Sequence, residues 1–276
     1  MLKREDIRIR DPFIVTDKEN GCYYMYGTTA LHPDTLRAGT SFSVFKTKDL
    51  ENFEDPITVV DGEALGLWAT RDFWAPEVHQ YRGKFYLFGS VKSDDRSRAT
   101  LIFVADHPEG PFVPVSEAAR TPDGWECLDG TFYEEDGVPY MVFCHEWLQV
   151  KDGEICAIQL TEDLSGTVGE PFMLFHGSDN PGVSPYKAEN YVTDGPFLYR
   201  EDGVLRMIWS SFYQGRYLVL EAESEGGIRG PWKHKGSRFD FDGGHAMLFF
   251  DLSGKRYISL HSPNRANDER AMFFPY

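Results

Sequence analysis

The chain has 276 residues, 41% of them hydrophobic and 15% aromatic, enough to bury one large core. With 28 Lys and Arg against 44 Asp and Glu its formal net charge is -16, a field that repels phosphate backbones and anionic headgroups and so argues against nucleic acid and membrane surfaces as partners. Neutral ligands carry no such penalty.

No apolar stretch follows Met1-Leu2-Lys3-Arg4-Glu5-Asp6, and no run reaches the length of a membrane helix, so the chain reads as a cytoplasmic protein without a signal peptide. Cys22, Cys127, Cys144 and Cys156 form no Cys-x-x-Cys pair and read as buried, reduced thiols.

A strand, a tight Gly turn and a second strand recur along the chain. The first copy runs from Asp11 to Val15, turns at Asn20-Gly21, and returns from Tyr23 to Thr28. The second runs from Ala75 to His79, turns at Arg82-Gly83, and returns from Phe85 to Ser90. The third runs from Asp129 to Tyr133, turns at Asp136-Gly137, and returns from Tyr140 to His145. The fourth runs from Asp194 to Tyr199, turns at Asp202-Gly203, and returns from Leu205 to Ser210. The fifth runs from His245 to Phe250, turns at Ser253-Gly254, and returns from Arg256 to His261. Asp-Gly between apolar runs is a strong hairpin signal, because Gly takes the positive φ such turns need. Both strands of each copy are nearly all apolar, which predicts cover on both faces.

An outer hairpin follows most copies: 43–47 with 57–60, 101–105 with 109–112, 155–160 with 170–173, and 217–221 with 229–232. After the fifth only 271–274 remains, so the last unit is expected to borrow a strand from the N-terminus, for instance Ile7-Arg8-Ile9. Five units of up to four short antiparallel strands predict an all-β, five-bladed β-propeller occupying residues 1–276 as one domain, without helices. A β-sandwich would leave five similar Gly hairpins at long intervals unexplained.

In a propeller the first strand of each blade lies nearest the axis. Aligned on the turn Gly, the copies place Asp11, Ala75, Asp129, Asp194 and His245 at equivalent positions near one mouth of the channel. Asp before Gly or Pro is ordinary turn chemistry when it occurs once. Three at one place would gather like charges at a cost in repulsion and desolvation, and crowding splits their pKa values, the condition for acid–base hydrolysis of a glycosidic bond. The returning strands should rim the same mouth with Thr28, Ser90, His145, Glu146, Trp147, Ser211, Tyr213 and His261. Trp68, Arg71, Phe73 and Trp74 form an aromatic loop there, and Trp74 and Trp147 are the first candidates for stacking on a sugar ring.

Five motifs in order, Arg10-Asp11-Pro12, Trp74-Ala75-Pro76-Glu77-Val78, Leu128-Asp129-Gly130, Thr193-Asp194-Gly195-Pro196 and Gly243-Gly244-His245, resemble glycoside hydrolase family 43, the arabinofuranosidase, xylosidase and arabinanase family. The resemblance implies an inverting mechanism, with Asp11 as the base that activates water. It implies that Asp129 tunes the acid's pKa and that His245 is an axial histidine in contact with a central Ca2+ or a water. The family's acid is usually Glu in a Glu-Gly-Pro context; Asp194 stands there, one methylene shorter. Glu146 or Glu189 from the rim is the alternative acid. Inversion asks for a base–acid separation of roughly 6.5–9.5 Å.

The expected activity is exo-hydrolysis of small pentose-containing oligosaccharides, of the α-L-arabinofuranosidase or β-xylosidase type. A galactosidase of the same fold and a non-catalytic carbohydrate-binding propeller are the alternatives. No cofactor is required by this chemistry. His32, His79, His107, His176 and His234 are scattered and show no zinc spacing.

Overall fold

The computed structural model describes residues 1–29 and 39–276. His32 lies outside the described residues. The described strands form five antiparallel sheets, one for each copy of the repeat. The innermost strands are Arg10–Asp17, Arg71–Tyr81, Cys127–Glu135, Asp194–Glu201 and Gly244–Phe250, in blades I to V. Each packs against the next, and the fifth packs against the first, so the ring closes as a five-bladed propeller. The core lies between adjacent sheets, where Trp209, Tyr24, Tyr26, Phe42, Phe88 and Phe143 are fully buried. All four cysteines are buried and free, as expected. No helix of the described residues is long and apolar enough to cross a membrane.

Three details depart from the sequence reading. Trp147–Val150 forms one turn of α-helix where none was expected. Among the described residues blade V has three strands and borrows none: Leu2–Lys3 pairs instead with Asn52–Phe53 of blade I. Ile7 and Ile9 are buried and cross the end of blade V through a single bond, Ile9 N–H to Glu269 O at 3.3 Å. Finally, Gly110-Pro111 and Gly230-Pro231 lie in turns, and the outermost strands follow them at Val113–Pro114 and Lys233–Ser237.

Every inner strand carries a β-bulge near its start, and the bulged residue sits in the left-handed region: Asp11 (φ 53°), Ala75 (44°), Asp129 (55°), Gly195 (50°) and His245 (52°). A bulge turns its side chain out of the strand's alternation and re-aims it, here towards the axis. The structural repeat therefore places Gly195, not Asp194, with the other four. Asp194 belongs one step back, with Arg10, Trp74, Leu128 and Gly244. Spacing carries the signal: Gly195 stands eight residues before Gly203, as Asp129 and Ala75 stand before Gly137 and Gly83.

The bulges also latch the blades together. The N–H of Ala75 donates to Thr28 Oγ1 (2.7 Å), that of Asp129 to Ser90 Oγ (2.8 Å), and that of His245 to Ser210 Oγ (2.8 Å). The N–H of Asp11 donates to His261 Nδ1 (3.2 Å). Each acceptor belongs to the second strand of the preceding blade. The matching position in blade III, paired with Leu128, is Cys144, a weak acceptor. There the N–H of Gly195 donates instead to the carboxylate of Asp129, Oδ2 at 2.9 Å.

Candidate active site

A pocket of about 350 Å³ opens at the mouth where the inner strands begin. Asp11, Asp129 and His245 line it from the bulges; Arg10, Trp74, Leu128 and Asp194 line it from the step before. Thr28, Tyr217, Glu146 and Trp147 complete the wall. The sequence thus brought together all three aspartates, His245 and both preferred tryptophans.

Asp11 is set up to stay ionised. Its Oδ1 lies 3.2 Å from His245 Nδ1, and its Oδ2 accepts from the Thr28 hydroxyl at 2.7 Å. Burial alone would raise its pKa, but His245, Arg10 and the Thr28 bond outweigh it and hold the carboxyl at about 2. Burial, with Arg10 nearby, pushes His261 down to about 3. It is therefore neutral near pH 7, accepting through Nδ1 from Asp11 and leaving Nε2–H for Asn264 Oδ1 (3.2 Å). The charge opposite Asp11 thus comes from His245 and Arg10. Burial disfavours the His245 cation, yet Asp11, Asp129, Glu77 and Asp194 together raise its pKa.

Asp129 and Asp194 are set up the other way. Burial, then the charges of Asp194 and Asp11, lift Asp129 to about 7 against the pull of His245 and the Gly195 N–H. Burial raises Asp194 as well, against His245, Arg10 and the Tyr217 hydroxyl, which donates to Oδ2 at 3.0 Å. The two carboxyls titrate as a pair that keeps one proton where isolated carboxyls would have lost both. An ionised carboxylate beside a proton-holding pair in one pocket is the pattern that acid–base hydrolysis needs.

This pattern predicts a basic limb near pH 7 in kcat/KM, moved to lower pH in Asp129→Asn, which removes one site of the shared pair. Stability should follow the same proton. A carboxyl whose folded pKa is raised stabilises the fold below its unfolded value, near 4, and that contribution is lost as pH rises through about 7. Thermal melts should therefore favour Asp129→Asn over wild type at pH 8 more than at pH 5. Superimposable profiles and melts would dismiss the pair.

Glu146 lines the pocket, but its Oε2 is 2.5 Å from Arg98 Nη1. Arg98 also binds Asp72 Oδ2 (2.9 Å) and lies 4.1 Å over the ring of Trp74, fixing that indole. Glu189 is exposed and away from the pocket. Four expected substrate contacts are likewise not on its wall. Phe73 is 1% exposed and packs on Phe42 in the core, because strand alternation turns it away from Trp74. Arg71 binds Asp94 and Asp72. His145 is tied to Glu154 and Gln149 and stacked on Trp125. Tyr213 ends a hairpin beside Gln214. Conversely, the sequence did not single out Arg10, Arg98 or Tyr217; only Arg10 sat in a quoted motif.

Among the described residues no group of three or more His, Cys, Asp or Glu side chains is arranged to hold a metal ion, and Nδ1 of His245 faces Asp11 and Asp129. Ca2+ prefers oxygen ligands, so a cation at the axis would meet His245 weakly or through water.

A propeller whose axial pocket sets an ionised carboxylate beside a carboxyl pair that keeps one proton has the acid–base arrangement of a glycoside hydrolase. The family model described as glycosyl hydrolases family 43 matches residues 6–272, and the chain belongs to that family, whose members invert the anomeric centre. The non-catalytic reading is thereby set aside. Over all of this chain and 96% of the other, the structure resembles an endo-arabinase from Bacteroides thetaiotaomicron VPI-5482, at 39% identity and a TM-score of 0.91. Xylosidase/arabinosidase 43A of Humicola insolens is 31% identical over 104 residues, 36% of this chain and 31% of that protein. The extracellular exo-alpha-(1->5)-L-arabinofuranosidase ArbA of Cellvibrio japonicus (strain Ueda107) is 22% identical over 178 residues, 58% of this chain and 46% of that protein. The matches to these curated relatives thus span about a third to a half of their length.

Proposed function

We propose that this protein hydrolyses chains of α-linked L-arabinofuranose within the chain, inverting the anomeric centre. Asp11 serves as the base that activates water, Asp194 as the acid that protonates the leaving oxygen, and Asp129 as the residue that keeps the acid protonated. The observation that carries the chemistry is the opposite protonation preference of Asp11 and the Asp129–Asp194 pair in one pocket. The arabinan substrate and the endo mode rest on the full-length resemblance to an endo-arabinase. The exo action expected from the sequence is the second reading, favoured by the resemblance to ArbA over a shorter stretch.

Product analysis on debranched arabinan separates them. Endo cleavage releases a ladder of oligosaccharides early and drops viscosity before reducing ends accumulate. One small product from the first minutes would mean exo action. Activity on xylan or galactan with none on arabinan would overturn the substrate.

A further inference from the structure

We infer that a groove at the mouth-side edge of blades II and III is a second carbohydrate-binding site, separate from the pocket where the bond is cut. It is larger than the catalytic pocket, about 680 Å³, and Trp68, Asp95, Arg96, Thr121, Asp123 and Trp125 line it.

The topology puts its Trp68–Trp125 end on the catalytic face, with Thr167 at the opposite end. Trp68 precedes the start of inner strand Arg71–Tyr81, and Trp125 precedes the start of Cys127–Glu135; Asp95 and Arg96 lie between Lys84–Lys92 and Ala99–Ala105. All three connections lie at the end where the pocket opens. Glu126, next to Trp125, ties this edge to Glu146 on the pocket wall. The Glu126 carboxylate binds Lys92 Nζ (2.7 Å) and the N–H of Arg98 (3.0 Å), and the Glu126 backbone carbonyl accepts from the N–H of Glu146 (2.7 Å).

The lining is built for a neutral polyhydroxylated chain. Both indoles are half-buried and held. Trp68 Nε1–H donates to Glu117 O (3.2 Å), with the Arg96 guanidinium 5.1 Å from its ring. Trp125 stacks flat on His145, centroids 4.1 Å apart at 11°, and that imidazole is fixed at both nitrogens. Rigid aromatic platforms with a few polar groups between them suit the apolar faces and hydroxyls of sugar rings. Asp95, Asp123 and a net charge of -16 disfavour a polyanion. The occupant inferred is a distal stretch of the polysaccharide substrate, so its identity as arabinan rests on the proposed function; the site itself does not.

The test uses Asp11→Asn, which leaves polymer uncut, run in gels cast with debranched arabinan or with xylan. Retention by one of them should weaken about tenfold when Trp68→Ala is added, less with Trp125→Phe, which preserves a stack on His145, and several-fold with Arg96→Ala, an exposed side chain outside the core. In the active enzyme each change should raise KM for the polymer by about the factor it costs in retention, with kcat/KM on arabinotriose within about twofold of wild type. Retention untouched by all three changes, no retention of the parent, or an equal loss on arabinotriose would overturn the second site. Wild type that cuts no arabinan would instead sink the proposed substrate, while Trp68-dependent retention on xylan would leave the groove standing.

Discussion

Asp11→Asn is expected to lower turnover by on the order of 10³–10⁴-fold while leaving the propeller folded. Asn retains an oxygen for the Thr28 hydroxyl, and its backbone N–H still latches to His261. What disappears is the one carboxylate in the pocket held ionised down to about pH 2, and with it the group able to take a proton from water. The fold loses a little at neutral pH. A carboxylate with a depressed folded pKa stabilises above its unfolded value, near 4, and the contribution vanishes as pH falls through about 2. Circular dichroism should be unchanged, with a slightly lower Tm at pH 7. A variant within tenfold of wild-type rate on a polysaccharide that the enzyme cuts would remove Asp11 from the base role.

Asp194→Asn should cost on the order of 10²–10⁴-fold on a natural glycosidic linkage and far less on a substrate with a nitrophenol leaving group. An alkoxide must be protonated as it departs; a nitrophenolate leaves unaided. The wild-type carboxyl can supply that proton because burial raises it, despite the Tyr217 hydroxyl on Oδ2. Glu146→Gln offers the contrast. Its carboxylate is committed to Arg98, so neutralising it should loosen the hold on Trp74 and raise KM before it touches the leaving-group dependence. If the leaving-group dependence instead appeared in Glu146→Gln and not in Asp194→Asn, the acid would be Glu146.

The repeat and its turns were legible in the sequence because hairpin signals are local: an apolar run, a Gly and another apolar run. Asp11 and Asp129 were legible for the same reason, each opening the first strand of its hairpin, ten and eight residues before the turn Gly. Asp194 was placed by aligning its blade one residue out of step, a slip concealed because Asp194 and Gly195 both face the mouth. Phe73 shows the limit of composition: aromatic and next to Trp74, it points the opposite way because strands alternate. Arg98 and Tyr217 were not legible. Their partners Glu146 and Asp194 lie 48 and 23 residues away, and nothing in a linear pattern marks such pairs before the blades are assembled.

The latches between blades carry a last consequence. Hydroxyls hold three of the five joints, and they accept hydrogen bonds at any pH. The joint between blades III and IV rests on the Asp129 carboxyl, which still offers a carbonyl oxygen when protonated. The joint between the last blade and the first rests on Nδ1 of His261, and an imidazole that gains a proton there can no longer accept one. With its folded pKa pushed down to about 3, His261 withdraws stability as the medium becomes acid. Acid lability is thus concentrated at the seam where chain start and chain end meet. Because Asp11 sits on that seam, acid weakens the ring beside the residue that supplies the base.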